Sequence, residues 1–353
     1  MAYILNEKIS GLEPYETIQG DFRIRLDANE SFIEIPESTK NELLEGIAEL
    51  SLNRYPDPRA RRVCSLFASY YNVDPDCVSA FNGSDELLFL ISTCFLMKGE
   101  KAVFLAPDFS MYRFYSELGE ARTAIMQKNS YASFTAEDVI SFVNAERARL
   151  LIFSNPCNPT GVGIERQEVI KIIEGCPDCL VAVDEAYMEF WDQSVIDLVC
   201  NYDNLMVLKT CSKAFRMAGI RCGFCVANKT LTDALLAVKS PYNVNSMTQT
   251  AAAAILSHPG ELDAAIAHIK SSAASLKQEL SDMAAQFPDK LSVRDTCATF
   301  SVIEMPGDSA KRMYEALKKE GILVRCFGSF LRVTAGSDEE NAEFIRAFEN
   351  NLF

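Results

Sequence analysis

Positive charge and histidine are the scarcities of this 353-residue chain: 34 Lys+Arg stand against 49 Asp+Glu, a net charge of −15, and there are two histidines. So acidic a protein repels nucleic acid and anionic membrane surfaces, so neither is an expected partner. His258 sits beside Pro259 and His268 inside a helical pattern, away from every motif below, so histidine-based catalysis is not expected. Long apolar runs are also missing. The most hydrophobic window, 87–97, is broken by Ser92 and Thr93 and is too short to span a bilayer. The first eight residues show no basic segment feeding an apolar run, so no signal peptide is expected. The twelve cysteines then read as free thiols of a reducing cytoplasm, not as a disulfide framework. At 48% hydrophobic and 24% charged, the composition is that of a folded globular protein with material for about two domains.

What is present is alternation. Short apolar runs at 102–105, 150–153, 180–183 and 205–208 read as strands buried on both faces. Helical patterns such as 137–147 and 165–174 lie between them, the βαβ signature of a mostly parallel sheet. Beyond about residue 245 the character changes. An Ala-rich stretch at 248–256 and a long helical pattern at 261–286 precede two strand candidates, 299–304 and 330–334, around a helical 310–320. With a last helix at 339–350, this reads as a second, smaller α+β domain. The expected division is an N-terminal arm with part of the small domain (1–40), a large domain (41–260) and a C-terminal small domain (261–353).

Open α/β sheets bind ligands beyond the carboxyl ends of their strands. The four runs lead there into Ala106-Pro107-Asp108-Phe109, Ser154-Asn155-Pro156-Cys157-Asn158-Pro159-Thr160-Gly161, Asp184-Glu185-Ala186-Tyr187 and Lys209-Thr210-Cys211-Ser212-Lys213. One crevice thus collects an aromatic ring, an Asn in a Pro-flanked turn, a carboxylate, a phenol, hydroxyls and a lysine. That set suits pyridoxal 5′-phosphate, which needs a lysine amine for a Schiff base and an acid to keep its ring nitrogen protonated. It also needs a donor to its phenolic oxygen, a flat surface against its face, and cationic and N–H donors for its phosphate.

Asn158-Pro159-Thr160-Gly161, Asp184-Glu185-Ala186-Tyr187 and Ser212-Lys213 followed by Arg221 resemble the fold-type-I aminotransferases. Leu26-Asp27-Ala28-Asn29-Glu30, Arg54-Tyr55-Pro56-Asp57-Pro58, Gly83-Ser84-Asp85-Glu86-Leu87, Pro241-Tyr242-Asn243-Val244-Asn245 and Leu331-Arg332-Val333-Thr334 narrow the resemblance to the histidinol-phosphate aminotransferase family. The motifs run in order from about Glu13 to Gly336. The resemblance implies a mostly parallel seven-stranded sheet in the large domain and a homodimer with shared sites. It implies that Lys213 binds the cofactor covalently and shuttles a proton, that Asp184 pairs with the ring nitrogen, that Tyr187 and Asn158 contact the phenolic oxygen, and that Phe109 stacks on the ring. Ser84 and Asp85 through their N–H groups, Thr210, Ser212 and Arg221 would hold the phosphate, with Tyr55 reaching it from the other subunit. Arg332 would grip the carboxylate of glutamate, while Tyr15, Asn29 and Arg325 would line the pocket of the second substrate. The reaction implied moves the amino group of L-histidinol phosphate to 2-oxoglutarate, in histidine biosynthesis.

Other readings compete at each position. Lys213 could also be a loop lysine, Asp184 a helix cap, Phe109 plain core, and Gly83-Ser84 an N-cap, although the end-of-strand placement of Lys213 and Asp184 favours the functional reading of both. The CxxC pairs Cys176/Cys179 and Cys222/Cys225 invite a zinc site. Cys222 and Cys225, however, fall in a strand-like stretch, where residues three apart face opposite ways, so no metal is expected. The chain departs from the family at Ala298-Thr299-Phe300, where an Asn usually precedes the Phe, at Arg216, often Gly, and in the short segment 325–332. The last borders the substrate pocket and keeps threonine-phosphate decarboxylation and aromatic amino acid transamination open as alternatives. A non-catalytic cofactor sensor is the remaining class, for which this acidic chain has no basic DNA-binding module.

Overall fold

A computed structural model describes residues 3–12, 18–129 and 133–352. Tyr15 lies outside the described residues. After β1 (Ile24–Arg25), the strands β2 (Val78–Phe81), β3 (Lys101–Ala106), β4 (Arg122–Gln127), β5 (Leu150–Ser154), β6 (Leu180–Asp184), β7 (Leu205–Thr210) and β8 (Gly223–Ala227) follow in the chain. β2 to β8 form one seven-stranded sheet in the order β2-β8-β7-β6-β5-β3-β4. Five of them, β4, β3, β5, β6 and β7, run parallel, and β8 is antiparallel to both its neighbours. The expected apolar runs are the central strands, and their continuous hydrophobicity has a simple cause: both sheet faces are covered. Val103, Leu151, Val181, Val183 and Val207 pack on one side with the helices Arg61–Tyr71, Ala136–Glu146 and Arg166–Gly175. Ala102, Phe104, Ile152, Ala182 and Leu208 pack on the other with Gly83–Cys94, Met111–Leu118 and Lys229–Val238. Odd and even residues divide cleanly between the two cores, as the pleat requires.

Five further strands complete the structure: β9 (Ser292–Arg294), β10 (Phe300–Glu304), β11 (Ile322–Leu323), β12 (Arg325–Cys326) and β13 (Phe330–Thr334). Four make an antiparallel sheet in the order β12-β13-β10-β9, and β11 pairs in parallel with β1. Their core gathers Ile24 and Leu26 from the N-terminal segment with Ile303, Leu331, Phe344 and Phe348 from the C-terminal one, so both chain ends build it. The helix Pro259–Gln286 belongs to both halves. Its Leu262, Ile266 and Ile269 pack on the large core, and its Leu276, Leu280 and Met283 on the small one. A division at residue 260 therefore falls at the start of a helix that ties the two cores together.

Two pairings position the site. Leu26 donates to Leu323 O at 2.8 Å and accepts from Thr334 N at 3.0 Å, which carries residues 27–29 from the small sheet toward the strand ends of the large one. Ser154 and Asp184, the last residues of β5 and β6, stand side by side in register.

Candidate active site

β6 ends in a carboxylate because the strand leaves the core there. Asp184 is nonetheless buried, at 6% exposure, and it accepts from Tyr112 OH at 2.7 Å and from Ala186 N at 3.0 Å. Among the described residues no lysine, arginine or histidine lies within ion-pair distance of it. Burial pushes its carboxyl up to about 6, with Asp108 and Asp85 adding to the effect against the two hydrogen bonds. Its turn contact with Ala186 fits the capping reading too, but a buried carboxylate without a cation is the stronger feature. It matches the partner that a protonated pyridine nitrogen needs.

Two lysines four residues apart at the end of β7 have opposite surroundings. Lys209 is locked between Glu185 Oε2 at 2.9 Å and Glu189 Oε1 at 2.7 Å. Burial opposes its charge, but the two glutamates win and raise it above the ordinary lysine value. Lys213 lies half-buried past the strand end, donating to Ala28 O at 2.7 Å. Burial, then Arg332, and more weakly Arg221, pull it down to about 8. Against an ordinary lysine at 10.5, that raises the free amine near neutral pH by roughly 300-fold. Lys209 is thus held as an ion-paired cation, while Lys213 is the lysine whose amine is available near neutral pH.

Ser212 and Arg221 flank Lys213 on an expected phosphate cradle. Arg221 Nη1 donates to Ser212 Oγ at 3.2 Å, and Ser212 N to Thr210 Oγ1 at 3.2 Å. The helix Gly83–Cys94 points its first turn at the same place. A Cβ on Gly83 would come within 2.7 Å of Arg221 Nη2, and one on Gly223 within 2.7 Å of Ser84 N. Only glycines allow this approach of helix, strand and guanidinium, so the expected phosphate fits the donor set. The capping reading of Ser84 is corrected: Asn82 is the N-cap, with no side-chain capping bond, and Ser84 lies in the first turn. The Asp85 carboxylate pairs with Arg221 Nη2 at 3.1 Å from a half-exposed position at the edge of that cradle.

Tyr187 OH accepts from Asn29 Nδ2 at 2.7 Å, which leaves the phenol hydrogen to donate. Asn158 Oδ1 accepts from Arg332 Nη1, which leaves Asn158 Nδ2 as its donor. Both donors suit a phenolic oxygen. Phe109 is half-buried and packs edge-on against Tyr112, with ring centroids 5.5 Å apart, beside the Asp184 partner. Tyr55 stands apart from these groups. It is 80% exposed and stacks on Tyr242 at 4.4 Å, so this chain does not bring it to its own cradle.

Arg332 is buried, donates to Asp27 O at 2.6 Å, and lies over the rings of Phe300 and Phe327. Arg325 is its direct cross-strand partner in the β12–β13 register, so two guanidinium side chains leave one face of the small sheet side by side. Asn29 joins the same wall through Thr334, whose hydroxyl donates to Asn29 Oδ1 at 3.0 Å. In an acidic chain this is a local basic pocket. Sequence reasoning missed Tyr112, which donates to Asp184, and Phe300, which holds Tyr187 and Arg332. The only signal was Tyr112 one helical turn after Phe109.

Comparison with known proteins agrees with this geometry. The family described as aminotransferase class I and II matches residues 23–348. The histidinol-phosphate aminotransferase of Clostridium novyi is 36% identical over 99% of this chain and 98% of its own length. That of Clostridium kluyveri is 35% identical over 99% and 97%. Among solved structures, histidinol-phosphate aminotransferase from Sinorhizobium meliloti, in complex with pyridoxal-5′-phosphate, superposes with a TM-score of 0.88 at 20% identity, covering 99% of this chain and 97% of that one. That structure shares the fold, and the closer sequence relatives settle the rest: the chain belongs to the class I and II aminotransferases, in the histidinol-phosphate aminotransferase family.

Proposed function

We propose that this protein moves the amino group of L-histidinol phosphate to 2-oxoglutarate, giving imidazole acetol phosphate and L-glutamate, with pyridoxal 5′-phosphate as its cofactor. The observation that carries the reading is a pair of unusual groups at the ends of neighbouring strands: Lys213 past β7, held near 8, and the buried Asp184 at the end of β6, which has no cation within ion-pair distance among the described residues. When bound, the cofactor supplies an aldehyde that condenses with amines and a ring that withdraws electrons from the neighbouring carbon.

The chain's own residues do the rest. Asp184 keeps a proton on the ring nitrogen. Lys213 Nζ, as a free amine, would bind the cofactor and then carry a proton from the substrate Cα to the cofactor carbon across the shared nitrogen in the first half-reaction, and in the reverse direction in the second. Tyr187 OH and Asn158 Nδ2 hold the phenolic oxygen, and Phe109 covers the ring. Ser84 N, Asp85 N, Thr210, Ser212 and Arg221 hold the phosphate. Arg332 takes the α-carboxylate of glutamate, and Arg325, with Asn29, lines the pocket for the phosphorylated donor. The pairing of Arg325 with Arg332 supports substrates that carry two anionic groups or one at each visit. The 80% exposure of Tyr55 supports a homodimer in which this phenol completes the partner's phosphate site. In such an enzyme, 41–260 serves as the cofactor domain, and 1–40 with 261–353 as the domain that presents the arginines. The charge balance and the free thiols favour a cytoplasmic protein.

The test is a two-substrate assay on the purified, cofactor-loaded protein. L-histidinol phosphate with 2-oxoglutarate is expected to yield equal amounts of glutamate and imidazole acetol phosphate without release of CO₂. CO₂ from threonine phosphate, or a preference for phenylalanine over the phosphorylated amine, contradicts the assignment.

A further inference from the structure

Beside the site lies another buried lysine that the chemistry above does not use. Lys128 follows the last residue of β4, an edge strand, where a lysine ordinarily runs its head out to water. Here it turns inward, and its side chain is 1% exposed. Its backbone N–H donates to Ala106 O at 2.8 Å, prolonging the ladder with β3. Its ammonium donates to Pro107 O at 3.0 Å and to Cys157 Sγ at 3.0 Å, and lies 3.4 Å from Asp108 Oδ2.

Asp108, whose side chain is 4% exposed, is the hub of this arrangement. It accepts from Phe109 N at 2.8 Å, from Ser154 N at 3.2 Å and from Ser154 Oγ. Ser154 Oγ in turn accepts from Asn158 N at 3.1 Å. One ion pair therefore fastens the turn after β3, which carries Phe109, to the turn after β5, which carries Asn158. It also sets the local charge. Asp108 and Asp85 add negative charge near Asp184, and Tyr112 and Tyr187 are its phenolic neighbours. Lys128 faces Asp108 and Cys157 and offsets the nearer negative charge.

We propose that Lys128 is a positioning residue of the cofactor site: with Asp108 it fixes the turns that carry Phe109 and Asn158 and balances the negative charge around Asp184. This rests on the cofactor reading above. A buried ion pair is weak grounds for a stability role by itself, since its desolvation cost rivals its attraction. The placement between two ligand-bearing turns is what distinguishes this pair. Removing Lys128 leaves Asp108 uncompensated, so Asp184 ionises at higher pH. Removing the Asp108 charge acts in the opposite direction.

The experiment titrates apo-protein with pyridoxal phosphate across pH, reading the dissociation constant from absorbance, for wild type, Lys128→Met, Asp108→Asn and the double variant. Wild-type affinity is expected to weaken as pH falls through about 6, where Asp184 takes up a proton. Lys128→Met should move that acid limb to higher pH and weaken binding at neutral pH about tenfold. Asp108→Asn should move the limb to lower pH. The double variant keeps the hydrogen-bond acceptor of the hub without either charge and should return the limb to the wild-type position. Folded variants whose limbs stay put, or move in the same direction, overturn the proposal. If Lys128→Met does not fold, Asp108→Asn and the double variant decide. A wild-type protein that takes up no pyridoxal phosphate overturns the cofactor reading instead.

Discussion

The two walls of the active site are built by different kinds of sequence. On the proposed cofactor wall, most side chains sit at or a few residues past the end of an apolar strand: Asp184 ends β6, Ser212 and Lys213 follow β7, and Asn158 lies four residues past β5. On the substrate wall, contacts join distant parts of the chain. Arg332 reaches Asp27 O across 305 residues, and Asn29 meets both Tyr187, 158 residues away, and Thr334, 305 away. The first wall is inherited from the rigid parallel sheet. The second exists only when the N-terminal segment threads between the sheets. On the proposed reading, chemistry would lie on the sheet wall and substrate choice on the one assembled from distant segments, which suits a scaffold that keeps one cofactor and varies its substrates.

Mutations should separate the walls. Lys213→Ala is expected to have the largest effect: it should still take up the cofactor non-covalently while turnover falls by about 10⁴ or more, measured as glutamate formed. Asp184→Asn should cost about 10³ in turnover and yet stabilise the apo-protein at neutral pH. The sign follows from linkage. The folded carboxyl, at about 6, holds its proton more tightly than the unfolded one at 3.8, so stability is fully present below 3.8 and is lost as pH rises through about 6. Removing the ionisation restores up to about 3 kcal/mol above that window, read as a higher denaturation midpoint in urea at pH 7 and a vanishing difference near pH 3.

Smaller effects sharpen the contrast further. Arg332→Met should raise the KM for 2-oxoglutarate on the order of 100-fold while the cofactor dissociation constant changes only a few-fold through Asn158. Phe109→Leu should do the reverse, weakening cofactor binding about fivefold with little change in either KM. If Arg332→Met instead abolishes cofactor uptake, the two walls are not separable in the way the contacts suggest.

Legibility in the sequence follows the same division. β5, β6 and β7 could be read because both of their faces are buried, and a short unbroken apolar run between turn residues is what a doubly covered strand requires. β4, with Arg122 and Gln127 at its ends and a half-exposed pattern, could not be read, because an edge strand need not be apolar. β1, β11 and β12 are two residues long and carry no period at all. Lys213 was distinguishable from Lys209 only by resemblance. The physical difference, carboxylates around one and guanidinium groups near the other, comes from β6, from the turn behind it and from β13. Lys128 gave no signal for the same reason, since its partners come from the turns after β3 and β5. The side-by-side placement of Arg325 and Arg332 depends on the register of the β12–β13 hairpin, which sequence pattern does not fix.

The most direct measurement is the absorbance spectrum of the protein loaded with pyridoxal phosphate, before and after addition of L-histidinol phosphate alone. The account predicts that the visible band of the lysine-bound cofactor disappears and the pyridoxamine form grows in its place, one equivalent per site, with the visible band returning on addition of 2-oxoglutarate. A visible band unchanged by histidinol phosphate but bleached by threonine phosphate or phenylalanine would contradict it.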